Sequence, residues 1–305
     1  MHPRPKLVGY GIILLAAIGF GTYGVWSRLM GQSFDPFFQA WVRSLLILVM
    51  MLPFMVASKS FKKIERKDWF AVGIYIAFCV FTQVPLYYAF NHASIGVAQL
   101  IFYSTFVITA YVVGWLYLNE RITRVKLLAM GLAFIGLTVI FGTSVVYFAP
   151  LGLLLAAING IASGGEVSSS KKISSKYSPA LLVFWGWFFT LATHLPISLL
   201  INEPQPLPQF DEAWLYLAIY AVVNALAFWL VISGFRYVDA SIGSLIGLSE
   251  ILFAVLFGAL IFHESLTWNI LAAGTLIIFA AMLPDLLNIV KGKRTSESVE
   301  PVREL

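Results

Sequence analysis

Ten apolar stretches, separated by short polar links, run along the chain from residue 7 to residue 290. A helix needs about 20 mostly apolar residues to cross a hydrocarbon core of ~30 Å. The stretches at 7–29, 37–57, 69–90, 94–117, 125–143, 150–170, 180–202, 213–235, 240–262 and 268–290 reach or approach that length. They predict an all-α polytopic membrane protein with ten transmembrane helices. Fusing two stretches across one of the short links after Phe90, Phe141 or Phe262 gives nine instead. Composition agrees, with 60% hydrophobic and 11% charged residues and a mean hydropathy of +0.86. Arg4 and Lys6 ahead of the first stretch imitate a secretory signal. Its apolar run is too long for one and no Ala-x-Ala site follows, so it is expected to stay in the mature protein.

The links carry basic residues unevenly. With the N-terminus in the cytoplasm, eighteen of the 20 Lys and Arg fall in cytoplasmic segments, Arg28 falls outside and Arg43 lies within the second span. The cytoplasmic side of a membrane retains Lys and Arg. Both termini are therefore placed in the cytoplasm, in a multi-pass protein of the inner (plasma) membrane. The formal charge of +5 is thus a topology signal and not a face for nucleic acid. Cys79 is the single cysteine, which excludes an intramolecular disulfide and thiol–metal clusters. No metal or other cofactor is expected.

The stretches repeat. Leu14–Ile18 and Leu154–Ile158 share one pentamer, and Ala93-Ser-Ile-Gly96 recurs as Ala240-Ser-Ile-Gly243 at the start of spans four and nine. Asn119-Glu-Arg-Ile-Thr123 matches His263-Glu-Ser-Leu-Thr267 at the ends of those spans, and Trp69 and Tyr75 match Trp214 and Tyr220 at one offset. Four matches in the same order indicate a duplicated unit. The unit holds five spans, an odd number, so the second copy enters the membrane from the opposite side. This predicts inverted halves at 7–143 and 150–290 between tails 1–6 and 291–305. Inverted repeats suit secondary transport through a site near the midplane.

These features resemble the EamA type of the drug/metabolite transporter superfamily: ten spans in two halves, Trp41-Val-Arg43 in span two, Leu248-Ser-Glu250 in span nine, and Glu120 and Glu264 closing spans four and nine. Tyr23-Gly-Val-Trp26-Ser-Arg-Leu-Met30 and Phe34-Asp-Pro-Phe37-Phe-Gln-Ala-Trp41 look like the YddG-type aromatic amino-acid exporters within it. The resemblance covers 7–290. It implies export of amino acids with aromatic and other apolar side chains by alternating access through a central cavity. The partners are then a small-molecule substrate and the lipid bilayer, and a monomer suffices because both halves lie in one chain. Another small metabolite or a drug is the alternative cargo. The resemblance also marks Arg43 as a structural position that bonds carbonyls or helix ends. Where the family often has proline after the span-nine glutamate this chain has Ile251, so span nine is expected to run straighter.

At ~1.5 Å of rise per residue, a position about ten residues into a span lies near the midplane. Tyr103, Asn159, Asn224 and Glu250 meet that test on spans four, six, eight and nine. For either asparagine the competing role is a helix–helix hydrogen bond. A carboxylate at the membrane centre costs ~2.5–3.5 kcal/mol or more, so Glu250 should face a neighbouring helix or a cavity. There it anchors an ammonium or carries a proton; its competing role is as a neutral packing residue.

Asn159, Ser163, Glu166 and Ser170 form a polar stripe on span six, with Glu166 equally placed to pair with Lys171 or Lys172. The repeat sets Tyr23 and Trp26 of span one opposite Ser163 and Glu166. Gln83 with Tyr87, and Gln99 with Tyr103, put an amide and a ring one turn apart on spans three and four. The candidate substrate-binding residues are thus Tyr23, Trp26, Gln83, Tyr87, Gln99, Tyr103, Asn159, Ser163, Asn224 and Glu250. Core and belt packing is the competing role of the aromatic ones. Pro85 removes a backbone donor in span three and is a candidate hinge.

Other chemistries find less support. Gly19-Phe-Gly21-Thr-Tyr-Gly24 fits the dinucleotide pattern but lies inside an apolar span, where glycine serves close packing. His263-Glu264 lacks the second histidine of a zinc protease helix. An intramembrane hydrolase would need Ser163 and His194 within hydrogen-bond reach.

Overall fold

The computed structural model describes residues 3–30, 33–57, 59–92, 95–141, 150–263 and 268–297. Thirteen α-helices occupy them: α1 (Pro3–Gly21), α2 (Tyr23–Met30), α3 (Pro36–Ala57), α4 (Trp69–Val80), α5 (Pro85–His92), α6 (Ile95–Leu116), α7 (Arg124–Phe141), α8 (Pro150–Ser174), α9 (Pro179–Leu200), α10 (Glu212–Phe235), α11 (Ala240–Gly247), α12 (Ser249–Phe262) and α13 (Trp268–Glu297). Eight continuous or near-continuous helical stretches are long and apolar enough to cross a membrane. The remaining two spans are α4 with α5, shortened by a break, and α13, whose apolar part is Leu271–Pro284.

Packing follows the repeat. Helix α1 lies on α10 and α12 while α8 lies on α4, α5 and α6, so the partners of span one are the repeat mates of the partners of span six. Spans two and seven meet each other as α3 and α9, and spans five and ten as α7 and α13. An arrangement that returns the same pairs when the halves are exchanged is that of a two-fold inverted repeat. Local geometry repeats as well. Asn119 and His263 both adopt a left-handed conformation, φ 56° in each, just past α6 and α12. The Glu120 N–H then closes on Gly114 O, and the His263 N–H on Gly258 O. The sequence matches Ala93-Ser94 and Glu264-Ser-Leu-Thr267 lie outside the described residues.

Glycine sets the closest helix pair. A Cβ on Gly160 or Gly164 of α8 would run into the Phe102 and Phe106 carbonyls of α6. These two positions let the backbones approach without a hydrophobic drive, which lipid does not supply.

Among the described residues three spans are interrupted, and one of them is span nine, which divides at Leu248 where the lack of proline suggested a straighter run. Leu248 N–H still reaches Ser244 O at 3.2 Å, but Ile251 N–H turns back to Leu248 O at 3.1 Å, a tightened turn. Gly247 before it weakens the helix locally without a proline, and the Ser249 hydroxyl after it makes no hydrogen bond.

Candidate functional site

The three breaks converge on one cavity of about 300 Å³. In span one the chain breaks at Thr22, whose hydroxyl donates to Gly19 O at 2.7 Å and accepts the Trp26 indole N–H at 2.9 Å. In span three it breaks over residues 81–84. Pro85 has no N–H to offer the carbonyl four residues earlier, which is that of Phe81. Asn159 Nδ2 fills the gap, donating to Phe81 O at 3.3 Å. Thr82 Oγ1 likewise satisfies Cys79 O at 2.8 Å. In span nine the break places Glu250 in the first turn of α12. The positive end of the helix dipole there offsets part of the cost of a carboxylate within the membrane.

Seven of the ten sequence candidates line this cavity: Tyr23, Gln83, Gln99, Tyr103, Asn159, Ser163 and Glu250. Tyr103 of α6 and Glu250 of α12 stand on the same cavity wall. Phe20, Phe102, Phe106, Tyr220 and Phe228 supply aromatic wall, and Phe235 stands towards the end of the molecule that carries the termini. Among the described residues the lining contains no Lys, Arg or His. Two acceptors on it, Gln99 Oε1 and Glu166 Oε2, are buried without a hydrogen-bond partner.

Other candidates sit elsewhere. Asn224 is fully buried behind the wall, where its Oδ1 accepts the Tyr23 hydroxyl at 2.7 Å, so it orients a lining residue and is not itself lining. Trp26 turns away into a cluster with Met30 and Phe38, because the tight turn at Thr22 rotates α2 relative to α1. Tyr87 falls on α5, and its side chain lies outside the described ones. Arg43 is buried to 0% exposure. Its guanidinium donates to Gln83 Oε1 and lies 4.4 Å from the Tyr220 ring centre and 5.9 Å from that of Trp187. Arg43 therefore holds the amide on the broken segment of span three.

Glu166 was legible as part of a polar stripe, but its expected pairing with Lys171 or Lys172 does not form. Lys171 Nζ instead binds Glu120 Oε1 at 2.6 Å, and Lys172 Nζ binds Tyr117 O at 3.2 Å. Glu166 is buried to 4% exposure and faces the cavity. The hydrolase pair does not form either. Ser163 is on the cavity wall, whereas His194 Nδ1 is engaged with Thr190 O at 2.9 Å and Thr193 Oγ1 at 3.0 Å.

At the end carrying the termini, ion pairs tie the halves together. Glu120 accepts both Lys171 and the Ala240 N–H that opens α11, at 2.9 and 3.0 Å, and Lys126 meets Asp239 at 2.8 Å. Burial works against the Asp239 carboxylate, but the Lys126 hydrogen bond and the charges of Lys126 and Lys171 outweigh it and hold its pKa below the ordinary value. Lys176 bridges Glu65 and Asp68 at 2.6 and 2.5 Å, and Tyr177 donates to Asp68 at 2.7 Å. The Lys176 hydrogen bonds depress both carboxyl pKa values and raise that of the amine. A depressed carboxyl pKa stabilises the fold above its unfolded value and ceases to do so as pH falls through the folded one. Thermal stability is therefore expected to fall as pH drops below about 4, and Asp68→Asn should flatten that acid limb in a melting series. These exposed pairs make the effect small.

Comparison with known proteins follows this geometry. The EamA-like transporter family matches residues 7–142 and 150–283. An uncharacterized transporter of Archaeoglobus fulgidus is 25% identical over 279 residues, covering 90% of this chain and 95% of that protein. A solved crystal structure superposes with a TM-score of 0.75 at 18% identity, covering 94% of this chain and all of that one, a likeness of fold.

Proposed function

The chain belongs to the EamA-like transporter family, and we propose that it exports ammonium-bearing metabolites with an apolar or aromatic body, amino acids foremost, by alternating access. The observation that carries this reading is the chemistry of the cavity wall: the Glu250 carboxyl, an unpartnered amide oxygen, several aromatic rings and, among the described residues, no cationic side chain. Such a wall favours a cationic donor over an anion, and rings accept both a cation and an apolar body. Its volume is at the lower end of the range for small-molecule sites. Glu250 is the ammonium anchor, with Tyr103 beside it. Gln83, Gln99, Asn159 and Ser163 supply neutral polar contacts, and Tyr23 presents its ring. Pro85 and the other breaks are where the broken helices flex between states.

Purified protein in liposomes, given phenylalanine, phenylethylamine and phenylpropionate, tests the reading. Phenylalanine should move. Removing the carboxylate should leave transport, and removing the ammonium should abolish it. Equal flux of phenylpropionate would sink the anchor, and flux of the amine alone would make the protein an exporter of hydrophobic amines.

The orientation is also proposed: termini in the cytoplasm, with the ionic clusters closing that side. Single cysteines at Gln209 and Ser296 in a Cys79→Ala background should label oppositely with an impermeant thiol reagent on intact cells. Equal labelling would contradict the assignment.

A further inference from the structure

Beside the main cavity lies a second, smaller chamber of about 10 Å³, room for a single water, between α4, α8, α9 and α10. Thr82, Gln83 and Glu166 line both spaces, so this chamber is a side room of the transport pathway. Glu166 is 4% exposed, and its Oε2 has no hydrogen-bond partner.

The hydroxyls around the chamber have already placed their hydrogens on backbone carbonyls. Tyr75 donates to Leu182 O at 3.2 Å, Thr82 to Cys79 O at 2.8 Å and Thr190 to Gly186 O at 2.9 Å. A hydroxyl whose hydrogen is committed can only accept, and the neighbouring Cys79 thiol is a weak donor. Gln83 turns its Nε2 to Thr82 Oγ1 at 3.1 Å, so the donors on the wall that are engaged face other acceptors, and Glu166 Oε2 is left without one. A protonated carboxyl supplies the missing hydrogen itself, directly or through one water. A buried carboxylate without a cation or donors is the costly alternative.

We propose that Glu166 is a proton-binding site distinct from the substrate anchor Glu250, taking up a proton when its chamber is sealed and releasing it when the pathway rewets the carboxyl. Export is thereby coupled to proton movement in the opposite direction. The reaction is simple acid dissociation of one carboxyl, with no other bond made or broken. A metal cation fits less well, because the chamber has space for one water and its hydroxyl oxygens are held by carbonyls. The titratable and charged groups around Glu166 are Tyr75 and Cys79 on α4, Tyr103 on α6, His194 on α9 one turn beyond Thr190, and Tyr220 on α10. Arg43 on α3 lies behind Gln83, and Glu250 on α12 lies across the cavity. Among the described side chains, α5 and α11 contribute Leu86 and Gly247 to the cavity lining.

The coupling rests on the transport reading above, but the proton site does not, and two measurements separate them. Infrared difference spectra of the purified protein between acid and alkaline pH should contain a protonated-carboxyl band that Glu166→Gln, which keeps the shape of the neutral acid, removes. If that variant fails to fold, Glu166→Asp should shift the midpoint of the band. In liposomes with a trapped pH dye, phenylalanine flux through the wild type should move protons. Glu166→Gln should still exchange phenylalanine, without proton movement and with a flat pH profile. An unchanged infrared band in Glu166→Gln overturns the proposal, as does phenylalanine flux through the wild type without protons. Flux that collapses when sodium is replaced by choline also overturns it, in favour of a metal cation. No phenylalanine flux, with the infrared band present in the wild type and lost in the variant, overturns the amino-acid reading and leaves the proton site standing.

Discussion

Glu250→Gln should lower phenylalanine flux at subsaturating substrate about 10- to 100-fold, through a higher KM and not a lower maximal rate. A hydrogen bond to a charged group contributes about 1.5–3 kcal/mol, and tenfold in affinity is about 1.4 kcal/mol. The amide keeps the shape of the side chain but not its charge, so the loss reports the ion pair with the substrate ammonium. The first turn of α12 carries the carboxyl on the cavity wall, which Tyr103 shares. Tyr103→Phe should therefore raise KM in the same direction by a smaller factor. Trp115→Ala is the control. That side chain is 56% exposed and lies near the terminal end of α6, outside the cavity lining. Concentration series in liposomes across pH 5–8 provide the measurement, and wild-type kinetics in Glu250→Gln would remove it from the site.

The long-range architecture was legible because it rests on signals that survive in one dimension. Apolar length gives the spans, and motif order gives a repeat with odd parity. Depth was legible too, since rise per residue is constant, and it led to Tyr103, Asn159 and Glu250 on the cavity wall. Rotation about the helix axis was not. At 3.6 residues per turn, Lys171 lies five residues beyond Glu166 and points about 140° away from it, towards Glu120 on another helix. Trp26 follows a turn whose tightening at Thr22 could not be read from its neighbours. Asn224 has the right depth and faces Tyr23, one layer behind the wall.

The breaks show a second limit. Pro85 announces the interruption in span three, because a missing N–H is a property of one residue. What stabilises the interruption is distributed over Asn159 on α8, Thr82 in the gap and Arg43 on α3, far apart in the chain. The break at Leu248 carries no proline at all. The glycine before it weakens a helix only as far as its surroundings allow, and the absence of a proline after Glu250 suggested a straighter run. Local chemistry marks where a helix can break, and tertiary partners decide where it does.

Arg43→Ala should be the most destabilising single change outside the glycine contacts. Arg43 is among the largest fully buried side chains, and its loss leaves a void while Gln83 Oε1 loses a charged donor. Truncating a large buried side chain costs about 2–5 kcal/mol, and losing a hydrogen bond from a charged group about 1.5–3 kcal/mol. The two overlap, since both describe one side chain, so a cost of about 3 kcal/mol or more is expected, read as a lower melting temperature in detergent. Arg43→Lys separates positioning from folding. The ammonium keeps the charge between the Tyr220 and Trp187 rings, but its single point cannot reproduce the planar fork that meets the Gln83 amide. Its melting temperature should fall less than that of the alanine variant, while phenylalanine flux should drop because Gln83 and the segment at 81–84 lose their anchor. If Arg43→Ala melts with the wild type, the guanidinium does not hold the break in span three. If Arg43→Lys transports normally, Gln83 needs no fork to hold its place at the cavity.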